Sequence, residues 1–290
     1  RKNSQINQLT DLNKMSNISA ADVAKLRRMT GAGMMDCKKA LEEAAGDFEK
    51  AQELIRKRGQ AIANKRADRE ATEGVVLAKT TADGKTGMMI SLNCETDFVA
   101  KNADFIDLGY KILDGALKSA PADLEALKNT VIDGKKVSDL VLEKSGITGE
   151  KFDLTYFGTI TAEAVQPYIH QGNKLATLVG FNKAGIDMQV YKDVAMQVAA
   201  MNPVSVDKDD VPEKILAQEL DIAREQARRE GKPEEMIEKI AQGKLNKFFK
   251  ESTLMNQEFI KESKINIRQY LESHDKSLRA TGFLRYTLNV

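Results

Sequence analysis

The spacing of apolar residues predicts that the first ordered part of the chain is helical. From Ser19 onwards, apolar positions recur every three or four residues in three short stretches, which Gly31-Ala32-Gly33 and Gly46-Asp47 separate. Ser19 and Asp22 have the spacing of a capping box, which marks the start of the first helix. The expected core positions are Val23, Leu26, Met29, Met34, Cys37, Leu41, Ala44, Ala51, Leu54 and Ile55.

The pattern changes from helical to extended near Gly74. We expect the third helix to end near Gly59 and a basic linker helix to occupy residues 61–73 before this change. Beyond it, two apolar runs flank Asp83-Gly84, a dipeptide that favours a β-hairpin. Helical spacing returns after Thr96.

The order of a hairpin followed by a helix occurs twice, at about 74–118 and 156–202. This internal repeat predicts two small antiparallel sheets, each covered by helices. Between 208 and 250, two charged helical runs meet at Gly231-Lys232-Pro233, which is typical of a helical hairpin. A last strand at 282–288 should rejoin the second sheet. The facing apolar positions of the helical hairpin are expected to be Leu216, Leu220, Ala223, Met236, Ile240 and Leu245.

These elements together predict an α+β fold. It combines a three-helix module, two α/β core subdomains with small antiparallel sheets, and a protruding antiparallel helical hairpin. Residues 1–14 have no apolar region of the kind found in signal peptides, and a disordered leader, a tag remnant and an upstream translation start all stay open. The predicted parts are a disordered leader (1–17), an N-terminal three-helix module (18–60), a linker helix (61–73), a core N-subdomain (74–155), a core C-subdomain (156–207 and 251–290) and a coiled-coil hairpin (208–250).

Charge and composition exclude several classes of partner. The 44 Lys and Arg residues balance 43 Asp and Glu residues, so the overall field gives no reason to expect nucleic acid. No apolar run approaches the roughly 20 residues of a membrane span, and we expect a cytoplasmic protein. Cys37 and Cys94 are far apart and lie within apolar patterns. Buried free thiols are therefore favoured over a disulfide.

The sequence has no recognisable catalytic or cofactor site. Gly84-Lys85-Thr86 ends like a phosphate-binding loop, but Lys79 stands where such a loop requires its first glycine. Gly31-Ala32-Gly33 follows a helix rather than a strand, which favours a tight turn over phosphate binding. The two histidines, His170 and His274, have no cysteine or histidine cluster near them in sequence. We therefore expect no enzyme activity, no metal and no cofactor.

The segment Thr96-Asp97-Phe98-Val99 lies where a strand gives way to a helix. An acidic and a large apolar side chain at such a corner suit insertion into a pocket of a partner. The residues alone nevertheless favour a structural interpretation, with Thr96 as an N-cap and Phe98 as a core anchor. Met34-Met35 has two interpretations as well, because methionine serves both as adaptable contact surface and as a filler of core gaps.

Two segments resemble the motifs of the bacterial translation elongation factor Ts family. Residues 26–41, LRRMTGAGMMDCKKAL, are similar to the family's N-terminal motif, and residues 92–101, LNCETDFVAK, are similar to its second motif. Both motifs are long and occur in the right order, which makes chance agreement remote. The resemblance extends from about Ile18 to Leu288 and includes the duplicated core, the helical hairpin and Tyr168-Ile169-His170-Gln171-Gly172.

The resemblance implies a guanine-nucleotide exchange factor. Such a factor binds the GTPase elongation factor Tu, in its GDP-bound and nucleotide-free states, and accelerates GDP release. The N-terminal module, similar to a ubiquitin-associated fold, would dock on the GTPase through Arg27, Met34 and Met35. No direct contact with nucleic acid or membrane is implied, and a homodimer or a 2:2 complex stays open.

The resemblance also assigns roles to the second motif. Residues 96–99 match the region that displaces the bound Mg²⁺, where Phe98 would enter between GTPase helices and Asp97 would engage groups near the metal. His170 and Gly172 match positions whose contacts disturb the phosphate-binding loop of the GTPase.

Two departures from the family pattern and two other functions are also considered. Ser91 stands where the second motif often has Glu, which predicts a different polar contact nearby. The sequence stops at Val290, where some members continue into a C-terminal helical module, and if the chain is not truncated this predicts a reduced affinity or contact set. Without the family, the chief alternative is a scaffold or assembly protein that dimerises through the helical hairpin and has no exchange activity. A metal-dependent hydrolase would need a ligand cluster around His170.

Overall fold

The structure, a computed structural model, describes residues 18–288, so the predicted leader at 1–17 lies outside the described residues. The helices are α1 (Ala20–Thr30), α2 (Met34–Glu43), α3 (Phe48–Lys65), α4 (Asp97–Ala100), α5 (Ala103–Ser119), α6 (Leu124–Asn129), α7 (Val137–Thr148), α8 (Met188–Met201), α9 (Glu213–Arg229), α10 (Glu234–Ser252) and α11 (Ile267–His274). The strands are β1 (Glu73–Thr80), β2 (Thr86–Cys94), β3 (Val131–Ile132), β4 (Lys135–Lys136), β5 (Asp153–Thr161), β6 (Ala164–Ile169), β7 (Leu175–Phe181), β8 (Glu258–Phe259), β9 (Glu262–Asn266) and β10 (Ala280–Thr287).

The strands and helices confirm the predicted α+β fold with small sheets. The two three-stranded sheets have the orders β1-β2-β5 and β10-β7-β6. Strands β6 and β10 both run antiparallel to β7, so the last strand rejoins the second sheet as predicted. Strand β5, most of which we assigned to the C-subdomain, lies beside β2 in the first sheet instead. The repeat pattern predicts that a strand exists but does not determine which edge it joins.

Contacts divide the chain into two compact units. The first comprises residues 18–74, 92–105 and 125–155, and the second comprises residues 75–91, 106–124 and 156–288. The subdomain boundaries given above follow the internal repeat along the chain, and they stay predictions.

The N-terminal module begins with the predicted capping box. The Asp22 N–H donates to Ser19 Oγ at 3.1 Å, and the Ser19 N–H donates to the Asp22 carboxylate at 3.2 Å. Two N–H groups that the first turn of α1 leaves without helical acceptors are thereby satisfied. The buried core of the module is Val23, Leu26, Ala32, Cys37, Ala40, Leu41, Ala44, Ala51 and Ile55.

Two methionines that we placed in this core are on its surface. Met29 and Met34 are 53% and 42% exposed, so their assignment to the core was wrong. The turn between α1 and α2 explains the difference. Gly31 adopts a left-handed φ of 74° that ends α1. Ala32 then fills the core at the turn, and the methionines on either side of it point outwards.

Helix α3 runs through Gly59 to Lys65, so the predicted helix end near Gly59 was wrong. Of the predicted linker helix over 61–73, residues 61–65 are helical as the last part of α3. Gly59 serves a helix–helix contact instead of a helix end. It faces Gly146 of α7, and a Cβ atom built on Gly146 would lie only 2.2 Å from the Gly59 carbonyl oxygen. The absence of a side chain on Gly146 thus lets α7 approach α3 more closely than a Cβ atom would allow.

Helices α9 and α10 form the predicted helical hairpin. Gly231, at a φ of 70°, ends the first arm, and Pro233 is the N-cap of the second. The arms are linked by ion pairs such as that between Arg224 and Glu238 at 2.9 Å. Met236, which we placed in the apolar seam between the arms, is exposed, and the next residue, Ile237, is buried there instead. The residues buried in this seam are Ala223, Ala227, Ile237 and Ala241.

Candidate functional site

The corner between β2 and α4 is formed by Thr96, which has an extended backbone. Its Oγ1 accepts a hydrogen bond from the Val99 N–H at 3.4 Å, which caps α4. The prediction that Thr96 is an N-cap is therefore confirmed. A single turn of helix follows, from Asp97 to Ala100, so Asp97 and Phe98 occupy its first two positions.

The Phe98 side chain is 83% exposed, so the interpretation of Phe98 as a core anchor was wrong. The apolar contacts below the corner come from other residues. Ala100 and Phe105 are buried, and the Phe105 ring packs edge-on against Phe152 with centroids 4.8 Å apart. The core below the corner is thus formed without Phe98, whose ring presents a large apolar surface to solvent.

Asp97 forms a surface ion pair next to Phe98. Lys101 Nζ donates to Asp97 Oδ2 at 2.6 Å, and this hydrogen bond with the carboxylate charge raises the pKa of Lys101. The Lys101 side chain is largely exposed to solvent, and the Asp97 side chain is a little under half exposed. Exposed pairs of this kind contribute little to stability, so Asp97 is able to exchange Lys101 for a group on a partner.

Glu95, the residue before the corner, is held in place by three hydrogen-bond donors. Its carboxylate accepts hydrogen bonds from Arg69 Nη1 at 2.9 Å, from Arg66 Nη1 at 3.4 Å and from the Lys151 N–H at 2.7 Å. Burial opposes the charged form of Glu95, but the Lys151 N–H and Arg69 outweigh it and hold the pKa of the carboxyl below its usual value. Both arginines follow α3, so the end of the N-terminal module is tied to this corner.

Glu150 holds the corner residue itself. The Thr96 N–H donates to Glu150 Oε2 at 3.1 Å, and Thr96 Oγ1 donates to Glu150 Oε1 at 2.6 Å. The sequence analysis missed Glu95, Arg66, Arg69 and Glu150. Glu95 lies within the second motif and was therefore in view, whereas Glu150 is 54 residues from Thr96 and no local pattern marks it.

Cys94 lies directly below the corner as a protonated thiol. Both Cys94 and Cys37 are free and buried, as predicted. Burial raises the pKa of Cys94 to about 12, and the nearby Glu150 charge acts in the same direction. The Cys94 Sγ–H donates to the Thr96 carbonyl oxygen at 3.2 Å. Cys94 is thus a small packing residue with one weak hydrogen bond and not a nucleophile at neutral pH.

Three residues of the N-terminal module that the family resemblance singled out are exposed. Arg27 lies on the outer face of α1, while Met34 and Met35 begin α2. Met35 is 62% exposed, so the interpretation of these methionines as core fillers is wrong for both. With Met29 they provide flexible apolar surface, a feature of adaptable protein contacts.

His170 and Gly172 lie in the second unit, in the turn between β6 and β7. The His170 N–H donates to the Leu175 carbonyl oxygen at 2.8 Å, which closes the turn. His170 Nδ1 lies 3.0 Å from the Tyr168 hydroxyl oxygen. Gly172 has a φ of 89°, a conformation that favours glycine. The turn therefore presents the His170 ring on a fixed backbone.

Within residues 18–288, no group of three or more His, Cys, Asp or Glu side chains is arranged to hold a metal ion. Over the same described range, none of the helices combines the length and apolar character needed to cross a membrane.

Comparison with known proteins identifies the relatives of the chain. A family model described as Elongation factor TS matches residues 95–289. Elongation factor Ts of Porphyromonas gingivalis is 52% identical over 273 residues, which cover 94% of this chain and 98% of that protein. Elongation factor Ts of Amoebophilus asiaticus is 54% identical over 92% of this chain and 98% of its own length. For Elongation factor Ts of Cytophaga hutchinsonii, the identity is 48% over 95% of this chain and 100% of the relative. The chain therefore belongs to the elongation factor Ts family.

Proposed function

We propose that the protein is a guanine-nucleotide exchange factor for elongation factor Tu in translation elongation. The observation that carries this proposal is the exposure of Phe98 at a corner whose backbone is held by Glu150 and Glu95. An apolar ring in solvent on a fixed backbone has no structural purpose of its own and suits a pocket in another protein. Membership of the elongation factor Ts family supports the choice of partner.

The proposed mechanism requires no catalytic group. Mg²⁺ is the largest local charge that holds the phosphates of a bound nucleotide. Phe98 enters between two helices of the GTPase, and Asp97 exchanges Lys101 for groups near the metal, so that Mg²⁺ is displaced and the phosphate site loosens. The protein then needs only a higher affinity for the metal-free state. By linkage, GDP and the protein weaken each other's binding to the GTPase.

Other exposed residues complete the proposed contact. Arg27, Met34 and Met35 dock the N-terminal module on the GTPase domain, because they combine a charge with adaptable apolar surface. His170 and Gly172 supply a second contact that disturbs the phosphate-binding loop. The protein acts in the cytoplasm on GDP-bound and nucleotide-free elongation factor Tu, without direct contact to nucleic acid or membrane, and as a homodimer or a 2:2 complex if it oligomerises.

A scaffold that dimerises through the helical hairpin is the second candidate function. The observation in its favour is that Ile222 and Met236 are exposed on this hairpin. Such a scaffold would bind a second copy and leave the nucleotide of a GTPase undisturbed.

Stopped-flow release of a fluorescent GDP from elongation factor Tu separates the two candidates. The labelled complex is mixed with excess unlabelled GDP and increasing amounts of the protein. The exchange function predicts that the release rate rises many-fold over the spontaneous rate and saturates. A release rate that stays at the spontaneous value at all concentrations would contradict the exchange function and leave the scaffold.

A further inference from the structure

The loop after α7 is fixed in place by its own hydrogen bonds. Helix α7 ends at Thr148, and Gly149, at a φ of 73°, turns the chain back. The buried Ser145 then holds the loop from below. Its Oγ–H donates to the Glu150 carbonyl oxygen at 2.6 Å and its Oγ accepts from the Phe152 N–H at 3.3 Å. The backbone around Glu150 is therefore held by hydrogen bonds that do not involve the Glu150 side chain.

Two consecutive residues of this loop hold two consecutive residues of the corner. The Lys151 N–H donates to the Glu95 carboxylate at 2.7 Å. One residue earlier, the two oxygens of Glu150 accept from the N–H and the hydroxyl of Thr96 at 3.1 and 2.6 Å. Charge-assisted hydrogen bonds to two oxygens of one carboxylate restrict both the position and the orientation of the group they hold.

The orientation of the Thr96 hydroxyl matters because this group both donates and accepts a hydrogen bond. Its proton is directed to Glu150, which leaves a lone pair of Oγ1 to accept from the Val99 N–H and cap α4. A carboxylate accepts both donors of Thr96 at once. Glutamine at the same position offers one oxygen and a donor group, so at least one donor of Thr96 would lose its acceptor.

We propose that Glu150 is the positioning residue of the corner: by holding both donors of Thr96, it fixes the direction in which Asp97 and Phe98 leave the protein. The proposal rests on the exchange function proposed above and assigns Glu150 a role in its rate. Phe98 is 83% exposed, so the direction in which its side chain leaves the protein is set mainly by the backbone of residues 96–99. Loss of positioning reduces the rate of a step more than it reduces binding through other surfaces.

NMR relaxation tests the positioning without any exchange assay. The backbone N–H groups of residues 97–99 report the order of the corner itself, whatever the motion of the exposed ring. We expect order parameters of these groups near the roughly 0.85 of rigid backbone in the parent protein and a clear decrease in Glu150→Gln. Glu143→Gln is the matched control, because Glu143 lies on α7 and pairs only with the exposed Lys135 among the contacts described. Equal order parameters with and without Glu150→Gln would overturn the proposal.

Exchange kinetics test the consequence. Glu150→Gln should lower the maximal rate of GDP release by about tenfold, the effect of losing one charge-assisted hydrogen bond. The protein concentration at half-maximal rate should change less than twofold. Glu143→Gln, which leaves the corner untouched, should retain the rate of the parent protein. In a Thr96→Val background, which lacks the hydroxyl and keeps the backbone N–H, Glu150→Gln should cause a clearly smaller decrease than in the parent protein, because only the hydrogen bond to the N–H is left to lose.

Three outcomes would overturn the proposal. They are an unchanged maximal rate in Glu150→Gln, a change in the half-maximal concentration alone, and a full tenfold loss in the Thr96→Val background. Circular dichroism checks that each variant is folded. If Glu150→Gln does not fold, Glu150→Asp replaces it in the same measurements, because aspartate keeps the charge on a shorter side chain. If the parent protein fails to accelerate GDP release, the exchange function fails, and the backbone order parameters of residues 97–99 alone decide whether Glu150 positions the corner.

Discussion

The contact between Gly59 in α3 and Gly146 in α7 predicts opposite effects for two alanine substitutions. A Cβ atom on Gly146 would lie 2.2, 2.3 and 2.4 Å from backbone atoms of Gly59, so one helix must move by about 1 Å to restore contact. Overpacking costs about 1–3 kcal/mol, and backbone atoms cannot rotate away, which favours the upper end. Alanine regains about 1 kcal/mol of helix propensity. The net effect of Gly146→Ala is a destabilisation of about 2 kcal/mol.

Gly59→Ala is the matched control at the same contact. Its Cβ atom would lie 3.4 Å from the Gly146 backbone, an ordinary contact distance, so the gain in helix propensity remains and the variant should be stabilised by up to about 1 kcal/mol. Urea unfolding followed by circular dichroism, with hydrogen exchange of the α3 and α7 amides, measures both changes. Changes of the same sign and size would refute the claim that close helix approach is what requires glycine at Gly146.

Two further predictions concern single ionisable groups. In a Cys37→Ser background, Cys94 should react slowly with iodoacetamide at about pH 8, because burial, together with the charge of Glu150, raises its pKa to about 12. If the folded protein is alkylated as fast as the urea-unfolded protein, this prediction is wrong. The hydrogen bond from Lys183 lowers the pKa of Asp275 to about 2, so its contribution to stability is present above about pH 4 and is lost as the pH falls towards about 2. Asp275→Asn should flatten the pH dependence of the unfolding midpoint in that interval, and an NMR titration midpoint of the Asp275 carboxyl near its ordinary value would count against the ion pair.

The parts of the fold that were predicted have local causes. The capping box at Ser19, the β1–β2 hairpin around Asp83-Gly84 and the helix boundary at Gly231-Lys232-Pro233 each depend on residues within one turn or loop. In these places the conformational preference of a few residues determines the element, so the sequence is sufficient.

The errors arose where the sequence pattern does not determine what a residue packs against. Gly59 has the sequence signature of a helix end, but its partner Gly146 is far away in sequence and makes it a packing position. Helical spacing placed Met29 and Met34 on an apolar stripe, yet it could not show that Ala32 fills the core at the turn between them. The pairing of β5 with β2 depends likewise on strands that are distant along the chain.

The candidate site shows the same division. Thr96 was predicted as an N-cap from its neighbours, and the capping bond confirms it. The exposure of Phe98 could not be predicted from its neighbours, because Phe105 and Phe152 decide whether the core has room for another ring. Glu150 reaches Thr96 across 54 residues, and only the folded chain brings the two together.

The most direct test of the account is the rate of GDP release from elongation factor Tu in the presence of Mg²⁺ with Phe98→Ala at saturating concentration. Val131→Ala is the control, because Val131 is also an exposed apolar residue of the first unit and has no part in the corner. If Phe98 enters the GTPase to displace Mg²⁺, the rate of GDP release with Phe98→Ala should be at least about tenfold lower than with the parent protein. The rate with Val131→Ala should equal the rate with the parent protein. The difference between Phe98→Ala and the parent protein should shrink when Mg²⁺ is chelated. A rate of GDP release in Mg²⁺ that is as high with Phe98→Ala as with the parent protein would contradict the account.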